Sequence, residues 1–315
     1  MTGISWVKAP YRVITVVAAL LLAGSAAAVS AEAVPAAASA TRQSTPHAST
    51  PGWLTEINYF RRAAGIPLVS ANRSWIKGIG NHLRYMAKTP PRYLTGKYAS
   101  LHTENPKSPY YTKSGAREAG ASDLAEGAIG YTAAEFINGW LAAPFHAIGM
   151  LRVNLRQVAF ASNRSTGDAG LDVISGLTGT ASPRLVRFPG PGSTTRLLTS
   201  GGEEPDPLQT CKWSELHQHG LPLIALLPAE PEKHLTATLR AANGRVSSTA
   251  KGSMCLVDEH HYHSTDKIYG PTGLAILRGD QAVVLIPRRP LTRGKYRVTI
   301  RQPGRPTITW SFSAA

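Results

Sequence analysis

The chain predicts an α+β protein in two parts: a helical half that carries a few antiparallel strands, then an all-β sandwich. Three observations predict it. Apolar residues recur at helical spacing from Trp53 to about Ser162, and short β-branched runs divided by Gly and Pro turns fill the sequence from about Pro183 onward. A mature chain of roughly 280 residues is also long enough for two domains.

Lys8 and Arg12 precede an apolar run from Val13 to Val29, and Val29-Ser30-Ala31 and Ala31-Glu32-Ala33 offer the small residues a signal peptidase reads. Residues 1–33 are therefore expected to be a secretory signal, cut after Ala31 or Ala33. The alternative is a retained membrane anchor, because the run approaches the lower limit of roughly 17–25 residues for a span. No later segment reaches that length, so no integral membrane part is expected after cleavage. Residues 34–52 are Ala, Ser, Thr and Pro around a lone His47, too poor in large apolar groups to bury a core, and read as a disordered spacer.

In the first domain, expected over 53–178, Leu54, Ile57 and Phe60 with Arg61 and Arg62 make one amphipathic helix, stopped by Gly65-Ile66-Pro67. Trp75, Ile79, His82, Leu83 and Met86 make a second, with Asn72 or Ser74 as N-cap and Pro90-Pro91 beyond its end. Thr132 opens a third, carrying Phe136, Ile137 and Trp140, with Glu135 placed for a capping box; Pro144 marks a helix end just before His146. Gln157–Ala161 and Leu171–Ile174 read as strands divided by the turn Asn163–Asp168. In the second domain, expected over 184–315, the strand-length runs are Leu185–Phe188, Leu221–Leu227, Leu235–Leu239, Ala282–Ile286, Tyr296–Ile300 and Thr307–Phe312. Gly and Pro turns separate them, as in an immunoglobulin-like sandwich. The two cysteines, Cys211 and Cys255, most simply form one structural bridge in an oxidising compartment. Closing that loop restricts the unfolded chain by about 4 kcal/mol on a loop-entropy model.

The formal net charge of +15 favours anionic cell-envelope polymers or acidic lipid head groups as partners. Lys and Arg are scattered with no long run, which argues against a sequence-specific nucleic-acid reader. Neither Gly-x-Ser-x-Gly nor His-Glu-x-x-His occurs, so no serine hydrolase elbow and no zincin-type protease is visible.

The order of features in the first half resembles the CAP superfamily, also called SCP-like, which includes the cysteine-rich secretory proteins, antigen 5 and the pathogenesis-related 1 proteins. The features are a first helix with Asn58 and Arg61, a second ending near Met86, His102 in a His-Thr context, an aromatic helix with Glu135 and Trp140, Pro144-Phe145-His146, and a strand about a dozen residues on. The resemblance covers roughly residues 53–175 and implies a three-layer α-β-α sandwich. The second half is similar to the β domain that often follows such modules in bacterial secreted proteins, through Gly202–Leu208, Gly220–Leu223, Pro290–Tyr296 and Thr309–Phe312.

The resemblance also implies a cleft of two histidines and two acids that in some members holds a divalent metal. His102 and His146 match the histidines, and Glu135 fits the helix acid. Where the family usually shows Gly-Glu-Asn this chain reads Ala121-Ser122-Asp123, so the other acid is missing unless Asp123 or Glu126 substitutes; the Arg that commonly follows the second histidine is replaced by Ala147. No cofactor is required, although a cleft of His102, His146 and Glu135 suits transient zinc. Each residue also has a plainer reading: His146 as a packed, hydrogen-bonded side chain, Glu135 as a helix cap, His82 as core or edge. A second cluster, Asp258-Glu259-His260-His261-Tyr262-His263, supplies metal-type ligands, and His261 and His263 would share a face on a strand, but a polar loop is the favoured reading. Gly201–Pro207 is an acidic loop without the EF-hand spacing for calcium.

The expectation is a secreted or envelope-associated binding module with a degenerate His/acid cleft, taking a small amphipathic or lipid-like molecule or an anionic envelope polymer. The alternatives are a metal-dependent extracellular hydrolase working through His102 and His146 and an envelope adaptor that docks through the β domain.

Overall fold

Leu54, Ile57 and Phe60 lie buried along one stripe of α1 (Gly52–Ala63), and Gly65, in the left-handed region at φ 69°, ends it. The computed structural model describes residues 51–179, 184–214 and 216–315; the expected signal and all but the end of the spacer lie outside the described residues. After β1 (Ser70–Ala71), Asn72 accepts the Ser74 N–H and caps a 3-10 turn that runs into α2 (Ile76–Lys88). A short helix, α3 (Lys113–Ala121), leads directly into β2 (Ser122–Ala125); its Ala and Gly content leaves no apolar stripe to announce it. Thr132 caps α4 (Ala133–Leu141). Pro144, expected to mark a helix end, instead starts α5 (Pro144–Leu151), where its missing N–H is no loss. The hairpin follows as β3 (Gln157–Asn163) and β4 (Asp168–Asp172), the second strand starting within the expected turn and ending two residues before the expected Ile174.

These strands form one sheet in the order β1-β3-β4-β2, parallel only at β1–β3. Alternation along β3 builds the layers. Val158 and Phe160 pack with the apolar residues of α1, α4 and α5, while Ala159 and Ala161 face Ile79 and Leu83 of α2. The result is a three-layer α-β-α sandwich.

The remainder is β-rich: β5 (Val186–Phe188), β6 (Thr194–Thr195), β7 (Leu223–Leu226), β8 (Thr236–Ala241), β9 (Val246–Ser248), β10 (Met254–Val257), then a helix α6 (Gly270–Gly279), and β11 (Ala282–Pro287), β12 (Gly294–Arg301) and β13 (Ile308–Ala314). One antiparallel sheet runs β10-β11-β7-β5, the other β6-β13-β12-β8-β9 with only β6–β13 parallel. Cys211 is bonded to Cys255 of β10. The second half is thus not purely β. The stretch that becomes α6 is not among the expected helices, yet Pro271 sits in its first turn, and a Cβ on Gly273 would lie 2.5 Å from the Tyr262 hydroxyl.

The two halves share one apolar core, in which Leu151 and Leu155 belong to the same cluster as Val186 and Leu226. Phe60 meets Phe188 with ring centroids 5.8 Å apart, and Gly190 passes so close to α1 that a Cβ there would stand 1.9 Å from the Ala63 carbonyl oxygen. Arg61, which reads in sequence as the polar end of α1, is only 1% exposed. Its guanidinium donates to the carbonyls of Pro67 at 2.8 Å, Arg152 at 3.2 Å and Leu155 at 3.1 Å, and also to that of Met150. Burial, then Arg156, lowers its pKa to about 10, which leaves it charged at neutral pH. Replacing Arg61 with Met removes the bonds to all four carbonyls, of which those of Arg152 and Leu155 keep another donor, and we expect a loss of about 3–5 kcal/mol in urea unfolding. A loss below about 1 kcal/mol would show that water or a local shift satisfies them instead.

Candidate functional site

Where α5 begins, the sandwich and the second half enclose a cavity of about 310 Å³. His102, Asp123, His146 and Arg152 line it on the first-half side, with Phe145, Val173 and Ile174 as apolar wall; Glu204, Pro205, Tyr269, Thr272 and Ile276 close it from the second half. Tyr269 accepts the Leu101 N–H at 2.8 Å and sets its ring edge-on to His102. Arg152 makes a two-pronged ion pair with Asp280 just after α6, with bonds of 2.9 to 3.1 Å.

Both histidines are oriented through Nδ1. His102 Nδ1 lies 3.0 Å from the Ala119 carbonyl oxygen, which only accepts, so Nδ1 carries the proton. Burial disfavours the His102 cation more than that hydrogen bond supports it, and the nearby His146 and His82 add to the lowering, so the ring is neutral and its Nε2 is a bare acceptor. His146 Nδ1 donates to Glu203 Oε2 at 2.8 Å. Burial works against the His146 cation too, but the Glu203 bond and the nearby Asp123 outweigh it and raise the pKa above the ordinary value. Asp123 sits in β2 with Oδ2 buried and unpartnered among the described residues, and burial, opposed by His146 and Arg152, raises its pKa to about 7. The cavity therefore presents an acceptor at His102, an imidazole favoured toward the cation at His146 and a carboxyl that changes charge near neutrality.

The other expected cleft residues are elsewhere. Glu135 is exposed and engaged in its capping box: its Oε2 accepts the Thr132 N–H at 2.7 Å, and its own N–H reaches Thr132 Oγ1 at 3.3 Å. Helix geometry explains this, because the third helical position points back at the N-cap. Glu126 is exposed and does not line the cavity. His82 is buried against Glu104 at 2.9 Å. His261 and His263 lie in the turn after β10, where Asp258 accepts the backbone N–H of His260 and His261 and the His261 Nδ1, rather than on a strand.

Sequence reasoning missed Glu203 as the partner of His146, and Tyr269 and Ile276 as cavity residues. The acidic run Gly201–Pro207 was the only local signal for the first, and it pointed to calcium rather than to a histidine far back in the chain.

Both imidazoles donate Nδ1 to a protein acceptor, the arrangement that frees Nε2 for a metal. The donor set stops there. Among the described residues, the trio of His, Cys, Asp or Glu whose ligand atoms converge within 4.8 Å is Glu230, Glu259 and His260, away from the cavity. His102, His146 and Asp123 do not form such a set, so a zinc centre with three protein ligands does not fit here.

A three-layer α-β-α sandwich with two inward histidines at one end defines the class. Residues 54–175 match the model of the cysteine-rich secretory protein family, CAP, and this segment is a CAP domain. Comparison with curated proteins finds none that matches the chain.

Behind the cavity, Glu118 is fully buried beside Asp172 and holds Arg117 with bonds of 2.5 and 3.0 Å. Burial first, then Asp172, raises its pKa to about 7 against the pull of Arg117. Glu118 and Asp123 thus bind protons in the folded state that the unfolded chain releases from its ordinary carboxylate range upward. Their contribution to stability falls as pH rises from about 4.5 to 7. The raised His146 acts in the same sense from its unfolded value of 6.5 upward. Thermal unfolding between pH 4.5 and 8 is expected to show a melting temperature that declines with pH, and Glu118→Gln to flatten the decline and raise the value at pH 8. A Glu118→Gln protein that melts lower than the parent at pH 8 contradicts this.

Proposed function

We propose that the protein is a CAP-domain binding module, working outside the cell or at the envelope, whose cavity takes a small amphipathic molecule. The observation that carries this is the composition of the cavity: hydrogen-bonding groups of both senses from His102, His146 and Asp123 beside an apolar wall of Phe145, Val173, Ile174 and Ile276. A second space of about 730 Å³ shares Arg152, Ile174, Thr272 and Ile276 with it and is walled by Val153, Leu177, Val186 and Leu226, room for an apolar tail. The disulfide is compatible with an oxidising compartment, and among the described residues no helix is long and apolar enough to cross a membrane.

Metal-assisted hydrolysis is the weaker reading, because among the described residues no third ligand joins the two imidazoles. For an adaptor role, removing residues 184–315 is an unsuitable test, since it uncovers the shared core.

The test is calorimetric titration of dodecanoate into the full chain. We expect micromolar binding, weakened roughly tenfold or more by Ile276→Asp, which sets a charge on the apolar wall. Polyphosphate, as an anionic polymer probe, is expected to bind weakly and to be released by salt. No dodecanoate binding with tight polyphosphate binding would replace the cavity reading with the charged surface. Ester turnover lost in His102→Ala would make it an enzyme.

A further inference from the structure

The histidine at the head of α5 is held by a residue that the CAP segment does not contain. Glu203 lies beyond the end of that segment at residue 175, in the stretch anchored where the Gly201 N–H meets the Ala142 carbonyl at 2.8 Å. Its side chain is completely buried. Both carboxylate oxygens accept the Phe145 N–H at 3.1 Å, while Oε2 also takes the His146 N–H at 3.3 Å and His146 Nδ1 at 2.8 Å. One group thus closes the first turn of α5 at its positive end and fixes the ring beside it.

We propose that Glu203 is a positioning residue of the cavity, supplied by the second half, which holds His146 with Nδ1 protonated and Nε2 as the ring atom offered to a ligand. The site is then shared between the halves, and the CAP segment alone is incomplete. A structural staple would not need this chemistry. A neutral amide oxygen caps a helix without the several kcal/mol that desolvating a carboxylate costs, and the carboxylate is matched only if it faces a cation. The charged groups acting on His146 are Glu203 and Asp123 from β2, and His102, Arg152, Glu204 and Tyr269 share the cavity with it. Of these only Glu203 is hydrogen-bonded to the ring. The inference does not depend on which molecule the cavity takes.

The test is nitrogen-15 NMR of histidine-labelled full chain at pH 7, with the His146 signals assigned by His146→Gln, and needs no ligand. In the parent, Nδ1 is expected to be protonated, with a strongly downfield proton. In Glu203→Gln the imidazolium-to-imidazole ratio is expected to fall roughly tenfold, as loss of one adjacent opposite charge implies. Glu203→Asp, which restores the charge, is expected to recover part of it. Asp280→Asn, which loosens the seam at the Arg152 bridge instead, is expected to leave the His146 signals in place. Unchanged signals in Glu203→Gln, or an equal change in Asp280→Asn, overturn the proposal. Should Glu203→Gln not fold, Glu203→Asp still decides: its shorter side chain must move the Nδ1 proton upfield, and an unmoved proton overturns the proposal as well.

Discussion

The buried guanidinium of Arg61 is the constraint on which the rest of the structure hangs. It reaches from the last turn of α1 to the carbonyls of Met150, Arg152 and Leu155, which make up the exit from α5 and the approach to β3. A charge this deep is tolerable only because planar donors meet several carbonyls at once. With the end of α5 held, its start is placed as well, and His146 and Arg152 stand at opposite ends of one short rigid helix. Everything at the cavity is measured from that helix.

The second half uses the same helix. Glu203 binds its N-terminus and Asp280 binds Arg152 at its C-terminus, so the two halves are joined by charged contacts at both ends of α5 and by apolar packing between them. An ion pair of this kind adds little net stability once desolvation is counted, but it is specific about position. Its effect is to set the relation of α6 and the Tyr269 ring to His102 and His146.

The electrostatics follow from the same enclosure. His102 and His146 are chemically identical side chains with opposite tendencies, one pushed toward neutrality by burial against the support of its carbonyl partner, the other held toward the cation by a carboxylate. Asp123, with no hydrogen-bond donor for Oδ2 among the described residues, titrates near neutrality between them.

Local pattern by itself determined much of this protein. The helical stripes of α1 and α2, the capping box of α4, the β3–β4 hairpin, six strand runs of the second half and the Cys211–Cys255 pair are legible because each depends on neighbours in sequence or on a count of two cysteines. The order of His102 and His146 within the CAP pattern was legible too. Only the tertiary structure decided which acids meet those histidines. Glu135 has the right spacing and the wrong direction, turned back onto Thr132, whereas Asp123 and Glu203 are brought in by a strand edge and by a loop from the other half. Arg61 and α6 were hidden for the same reason: a buried cation and a glycine-rich helix are stable only through partners distant in the chain, and periodicity carries no information about those.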